Sequence, residues 1–236
     1  MTPGQPVRSA AVVALKPIDQ AKSRLGTMAF PLRRQLAWSM ALDTLTALSA
    51  AVDEVLVVSP DASLPAQLDR AGLAVSVVGE PPGAGMNGAL SSGAELLRAH
   101  GCGLVLACVA DLPALRPESV RRVLRAAQSR PRSFLADASG VGTTMLVAAD
   151  TALDPRFQGA SAAAHRLSGA TALTDDVLGA AVPDARHDVD TEADLGAAQA
   201  LGLGPATTAL LGPPAVRSQP AGSTLAGNVL GRKLGR

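Results

Sequence analysis

Leu104-Val105-Leu106-Ala107-Cys108-Val109-Ala110, closed by Asp111-Leu112-Pro113, is the stretch that decides how this chain is read. Seven apolar residues ended by a turn signal suit a strand and are too few for a helix. The aspartate that ends the run puts a carboxylate at the edge of the sheet where open parallel sheets bind ligands.

Outward from that strand the same units repeat. Residues 10–15, 54–59, 74–78 and 133–138 read as strands, and 32–50, 64–71, 86–99 and 117–128 read as helices. The alternation predicts an α/β fold, a single domain with a mixed, mainly parallel sheet flanked by helices. After Ala138 the rhythm changes. Gly140-Val141-Gly142 interrupts it, 144–148 reads as a strand, and 177–182 reads as a further strand, expected at an antiparallel edge. Residues 191–201 read as a helix in which Thr191 and Asp194 match the Ser/Thr-x-x-acid capping pattern, which makes Asp194 structural.

Composition narrows the class. The chain has 236 residues, 47% apolar and 2% aromatic, so one core of alanine, valine and leucine is expected. Residues 1–203 are assigned to the domain. Residues 204–236, rich in Gly, Pro and Ser and basic at Arg232, Lys233 and Arg236, are assigned to a flexible tail. Every apolar stretch is interrupted well before the ~20 residues a bilayer crossing needs. Met1 to Arg8 carries no secretory pattern, and a cytoplasmic protein is expected. Cys102 and Cys108 read as buried, reduced thiols. A net charge of +1 with few aromatics argues against a nucleic-acid groove and for a small-molecule partner.

Five groups of residues can carry chemistry. Only three of the 21 basic residues are lysines, and two of them, Lys16 and Lys22, fall within seven residues on the loop after the first strand, with Arg24 beside them. That loop has neither the Gly-x-Gly-x-x-Gly of dinucleotide folds nor the Gly-Lys-Ser/Thr of a P-loop, and its three cations suit a triphosphate. Asp111 is placed to hold magnesium, which takes oxygen ligands, keeps several waters and shares substrate phosphates. Asp188 and Asp190 are expected to diverge, one joining Asp111 on the metal while the other caps the helix or holds a second ion. Thr143 beside Gly140 and Gly142, and Ser161 after Phe157-Gln158-Gly159, form glycine-and-hydroxyl turns able to bind an anion. The loop at 81–88 offers Gly85 and Asn87 to a nucleobase. His187 is read as structural.

Lys16-Pro17, Ala21-Lys22-Ser23-Arg24-Leu25, Asn87-x-Ala89-Leu90, Asp111-Leu112-Pro113, Gly142-Thr143-Thr144, the segment 161–165 and Asp188-x-Asp190-Thr191 together resemble the 2-phospholactate / phosphoenolpyruvate guanylyltransferase family, over about 12–201. The resemblance implies a nucleotidyltransferase form of the glycosyltransferase-A fold and Mg2+-dependent guanylyl transfer from GTP in deazaflavin coenzyme assembly. It further implies metal carboxylates at Asp111 and at Asp188 or Asp190, phosphoacid contacts at Thr143, Gln158 and Ser161, and a homodimer, beside the nucleotide candidates Lys16, Lys22, Arg24, Gly85 and Asn87. Phosphoenolpyruvate is the favoured acceptor and 2-phospho-L-lactate the other. Gln158 stands where the family pattern leads one to expect glycine. The competing reading from another class is a non-catalytic α/β module that binds a partner through its basic tail.

Overall fold

The computed structural model describes residues 7–17 and 28–212. Four strands, β1 (Ser9–Ala14), β2 (Glu54–Ser59), β3 (Ser76–Gly79) and β4 (Leu104–Cys108), run parallel, and β5 (Arg132–Ala136) and β7 (Thr171–Ala172) share their direction. Between β4 and β5 lies β6 (Thr143–Ala149), antiparallel to both, in a seven-stranded sheet ordered β3-β2-β1-β4-β6-β5-β7. The α/β expectation and the mixed, mainly parallel sheet are therefore met.

Alternation along each strand divides the core into two layers. Leu104, Leu106 and Cys108 of β4, with Ala11 and Val13 of β1, face α1 (Phe30–Ser49), α2 (Leu64–Arg70) and α4 (Pro117–Ala127). Val105, Ala107, Ala10 and Val12 face α3 (Gly85–Ala99) and α5 (Ser161–Leu167). Gly93 lets α3 lie close on the sheet, because a Cβ there would come within 2.5 Å of Val12. Both cysteines are buried free thiols, pushed above their ordinary pKa chiefly by burial. No helix among the described residues is long and apolar enough to cross a membrane.

Two sequence expectations are corrected. Residues 177–182 are not an edge strand: α6 (Asp175–Leu178) ends within that stretch, residues 179–182 connect it to α7 (Pro183–Arg186), and the edge strand is β7. Thr174 caps α6, Asp175 and Asp176 occupy its first turn, and Gly179 ends it at φ 71°. Leu178 and Val182, four residues apart, both enter the α4 side of the core. The antiparallel element is instead the interior strand β6.

The second correction concerns the segment assigned to the tail, part of which is helical. After α8 (Glu192–Leu201), α9 (Pro205–Leu211) packs beside α1. Asp43 of α1, buried to 5% exposure, accepts hydrogen bonds from the backbone N–H groups of Ala206 and Thr207, both at 2.8 Å, and so caps α9 from another helix. Residues 213–236 lie outside the described residues. Replacing Asp43 with Ala leaves those two N–H groups without their acceptor, and a loss of about 2 kcal/mol is expected in urea-monitored unfolding.

Candidate active site

The strand order changes direction between β1 and β4, and the carboxyl ends of these two strands open into one cleft. Its narrower part, about 240 Å3, runs between α1 and α3 and is lined by Lys16, Asp111 and Asp190 among small apolar side chains. Its wider part, about 540 Å3, is lined by Asp137, Gly142, Thr143, Gln158, Ser161 and Asp188. Met86, Val109, Asp111, Phe157 and Asp190 line both parts, so the carboxylates stand at the junction. A larger cleft of about 700 Å3 opens at the starts of α1 and α2, beside Arg34, Trp38 and Asp61. Among the described residues its lining holds one carboxylate, that of Asp61.

Asp111 is held by its neighbours in the chain and by long-range bonds. The Leu112 N–H donates to Thr44 Oγ1 at 3.0 Å, and the Val189 N–H donates to the Asp111 carbonyl at 3.1 Å. The second bond lays the segment 188–190 along the end of β4. Val189 is fully buried against Leu36, Met40 and Leu195, so the side chains on either side of it turn the other way. Asp188 and Asp190 consequently line the same cleft, as residues two apart on an extended chain do, and the expected divergence is corrected. Neither is needed as a cap, because Thr191 and Asp194 form the capping box of α8.

Crowded carboxylates carry an electrostatic cost. Burial, followed by the charge of Asp111 and then those of Asp190 and Asp137, pushes the Asp188 carboxyl up to about 7, against a lowering backbone hydrogen bond. A hard divalent cation would relieve that repulsion, and an all-oxygen donor set fits magnesium or manganese. Among the described residues no group of three or more His, Cys, Asp or Glu side chains is arranged to hold a metal ion.

At the wide end, Asp137 shapes the turn before β6. Its carboxylate accepts from Val141 N–H, Gly142 N–H and Ser139 Oγ at 3.0, 2.9 and 2.9 Å. Gly142 is required by that approach, since a Cβ would lie 2.5 Å from Asp137 Oδ2. Thr143 and Ser161, nearly buried, both reach the cleft. Gln158 does too, with φ at 110°, a region that favours glycine.

Lys16 is exposed at the narrow end, while Lys22 and Arg24 lie outside the described residues. Gly85 begins α3 at φ 61°, next to Met86 of the cleft. The Asn87 carboxamide is engaged within the protein. Its Nδ2 donates to the Phe157 carbonyl at 3.1 Å and its Oδ1 accepts from the Phe157 N–H at 2.8 Å, so it ties the 157 loop to α3. Asp137, which lines the cleft, is not among the sequence candidates although it follows Phe134-Leu135-Ala136 at the end of β5, and the buried His165 enters them only as the last residue of the segment 161–165.

A mainly parallel sheet with one interior antiparallel strand, and carboxylates where its strand order reverses, accords with the nucleotidyltransferase class that the family comparison gives. The MobA-like NTP transferase domain matches residues 29–179. Among solved structures, a nucleotidyl transferase from Methanothermobacter is 20% identical with a TM-score of 0.53, over 82% of this chain and 97% of its own. A 4-diphosphocytidyl-2C-methyl-D-erythritol synthase is 16% identical with a TM-score of 0.55, over 83% and 99%. Closer in sequence are proteins named phosphoenolpyruvate guanylyltransferase. The one from Streptomyces coelicolor is 48% identical over 84% of this chain and 93% of its own length, and the one from Mycolicibacterium gilvum is 39% identical over 84% and 92%. The chain belongs to the phosphoenolpyruvate guanylyltransferase family.

Two measurements follow from the site. An acid whose pKa is raised on folding binds more protons folded than unfolded, so the metal-free protein loses stability as pH climbs from the unfolded carboxyl value towards about 7. Thermal unfolding without metal above neutral pH should show Asp188→Asn more stable than the parent, and added Mg2+ should stabilise the parent more than the variant. Gln158→Gly should remove a backbone conformation costing on the order of 1 kcal/mol and raise the thermal midpoint.

Proposed function

We propose that this protein transfers GMP from GTP to phosphoenolpyruvate, releasing pyrophosphate and forming enolpyruvyl-2-diphospho-5'-guanosine for deazaflavin coenzyme assembly. The observation that carries the proposal is the continuity of the cleft. A lysine stands at its narrow end, Thr143 and Ser161 at its wide end, and three aspartates at or beside the junction. The names of the sequence relatives support phosphoenolpyruvate over 2-phospho-L-lactate as acceptor. A cytoplasmic homodimer is part of the same proposal.

In this reaction a phosphate oxygen of the acid attacks the α-phosphorus of GTP in line. The new P–O bond forms as the bond to the bridging oxygen of the β-phosphate breaks, and its electron pair leaves with pyrophosphate. A phosphate dianion is already nucleophilic, so no side chain has to remove a proton. Catalysis then rests on positioning and on neutralising charge. Asp111, Asp188 and Asp190 would hold a magnesium ion whose chemistry is to neutralise and polarise the phosphates. Lys16 is assigned to the α-phosphate, Lys22 and Arg24 to the departing pyrophosphate, and the backbone around Gly85 to the nucleotide. Thr143, Ser161 and the backbone of Gln158 are assigned to the acid.

Purified protein with Mg2+, GTP and phosphoenolpyruvate should release pyrophosphate, and CTP, ATP or 2-phospho-L-lactate in place of the proposed partner should release far less. Asp111→Asn should lose on the order of 100-fold or more in kcat at saturating GTP while its circular dichroism stays that of the parent. Pyrophosphate release with no nucleotide and acid pair would favour the partner-binding alternative, and full activity of Asp111→Asn would remove the metal role.

A further inference from the structure

We infer that His165 is a positioning residue that fixes the Thr143 hydroxyl as a hydrogen-bond donor toward an anionic oxygen of the acceptor. This rests on the reading that the wide end of the cleft takes the phosphoacid. The argument begins with a backbone amide. Arg156 N–H donates to His165 Nε2 at 2.9 Å, and an amide N–H can only donate, so Nε2 presents its lone pair. In a neutral ring the proton is then on Nδ1, and Nδ1 faces Thr143 Oγ1 at 2.9 Å. Oγ1 must therefore accept, and the hydroxyl hydrogen has to point away from the ring. Among the described residues no second partner is recorded for that hydroxyl, and the side chain lines the cleft.

The surroundings keep the ring neutral. His165 is fully buried, with Phe157 edge-on at 5.2 Å and Phe134 tilted at 5.9 Å between ring centroids. Burial dominates and lowers the imidazole to about 4. Asp154 and the Ser161 main chain oppose that shift, while Arg156 and Arg132 add to it. Arg166 lies over the Phe134 ring, 5.7 Å from its centroid. A ring that does not protonate near neutral pH is a permanent tautomeric lock rather than a base.

An unconstrained threonine hydroxyl can turn to donate or accept and so discriminates poorly between the two kinds of ligand atom. Held by His165, Thr143 offers only a donor, which suits a carboxylate or phosphate oxygen and leaves a ligand N–H or O–H without a partner. The same ring joins the two walls of the acceptor end. It is bonded to Arg156, just before Phe157-Gln158, and to Thr143 at the start of β6. Because it lies one turn after Ser161 on α5, it also underlies the second hydroxyl of the site.

The test joins nitrogen-15 spectroscopy of the histidine rings with steady-state kinetics on the full chain. The spectra should show His165 as the Nδ1–H tautomer throughout the neutral range, with its Nδ1 resonance shifted in Thr143→Val. His165→Gln, which moves the amide to the Nε2 position, should raise KM for phosphoenolpyruvate on the order of 10- to 100-fold with KM for GTP unchanged. His165→Asn, which restores a donor near Nδ1, should recover most of that loss. Thr143→Val should raise the same KM, and combining it with His165→Gln should add little, since one residue acts through the other. If His165→Gln does not fold, the parent tautomer and the Thr143→Val spectra still decide the matter. An Nε2–H tautomer, additive effects, or equal losses in both KM values would overturn the inference. If the parent turns over no phosphoacid, the ligand half falls with the proposed function, whereas the tautomer reports separately on the lock.

Discussion

The site depends on one backbone hydrogen bond, from the Val189 N–H to the Asp111 carbonyl, made across 77 intervening residues. Without it the carboxylates of Asp188 and Asp190 have no reason to stand beside Asp111. Its geometry is enforced from behind, where Val189 is buried with Leu36 and Met40 of α1 and Leu195 and Ala198 of α8. Burial of one valine is worth roughly 1.5–3 kcal/mol. It acts against the cost of a neighbouring carboxyl that burial and like charge push up to about 7. A small apolar cluster thus works against the repulsion that a cation would relieve.

Around that junction the fold separates charge by position. The cation of the narrow end comes from the loop after β1, a strand end that needs no long-range partner to bring Lys16 to the cleft. The wide end sets the hydroxyls of Thr143 and Ser161 beside the carboxylates of Asp111, Asp188 and Asp190, with Asp137 turned back upon its own loop. Asp137 still adds a minor part to the elevation of Asp188, so its loop-forming role and its electrostatic effect on the site come from the same carboxylate.

What could be read in the sequence follows from how local each signal is. Strand β2 and the start of α4 at Pro117 coincide with expectation, because continuous apolar runs and a proline at a first helical turn are local statements. Asp111 is legible for the same reason. The stretch at 177–182 reads as a strand because its apolar residues alone mimic one, while of the deciding signals Thr174 lies before it and Gly179 interrupts it. Helix α9 was missed because its N-terminal acceptor, Asp43, sits 163 residues away on α1. Asn87 shows the same principle. It lies on the right helix and near the right cleft, but its carboxamide is already engaged by Phe157, a partner 70 residues distant. Long-range pairing of polar groups leaves no periodic trace, and it is this class of contact that completes the site.

Gln158 illustrates how such contacts override local preference. A glutamine at φ 110° is strained, and taken alone the residue should let the loop relax. It cannot, because the backbone before it is fixed twice: Arg156 donates to the buried His165 ring, and Phe157 both donates to and accepts from Asn87. On the far side Gly159 supplies a further left-handed residue at φ 56°, and the Ser161 N–H donates to its carbonyl at 2.8 Å as α5 begins. With its neighbours held on both sides, residue 158 must bridge them in whatever conformation closes the gap. A glycine-favouring backbone is therefore imposed by the flanking bonds and not by the residue that adopts it, which is why the turn survives the departure from the family pattern with its cleft-lining position intact.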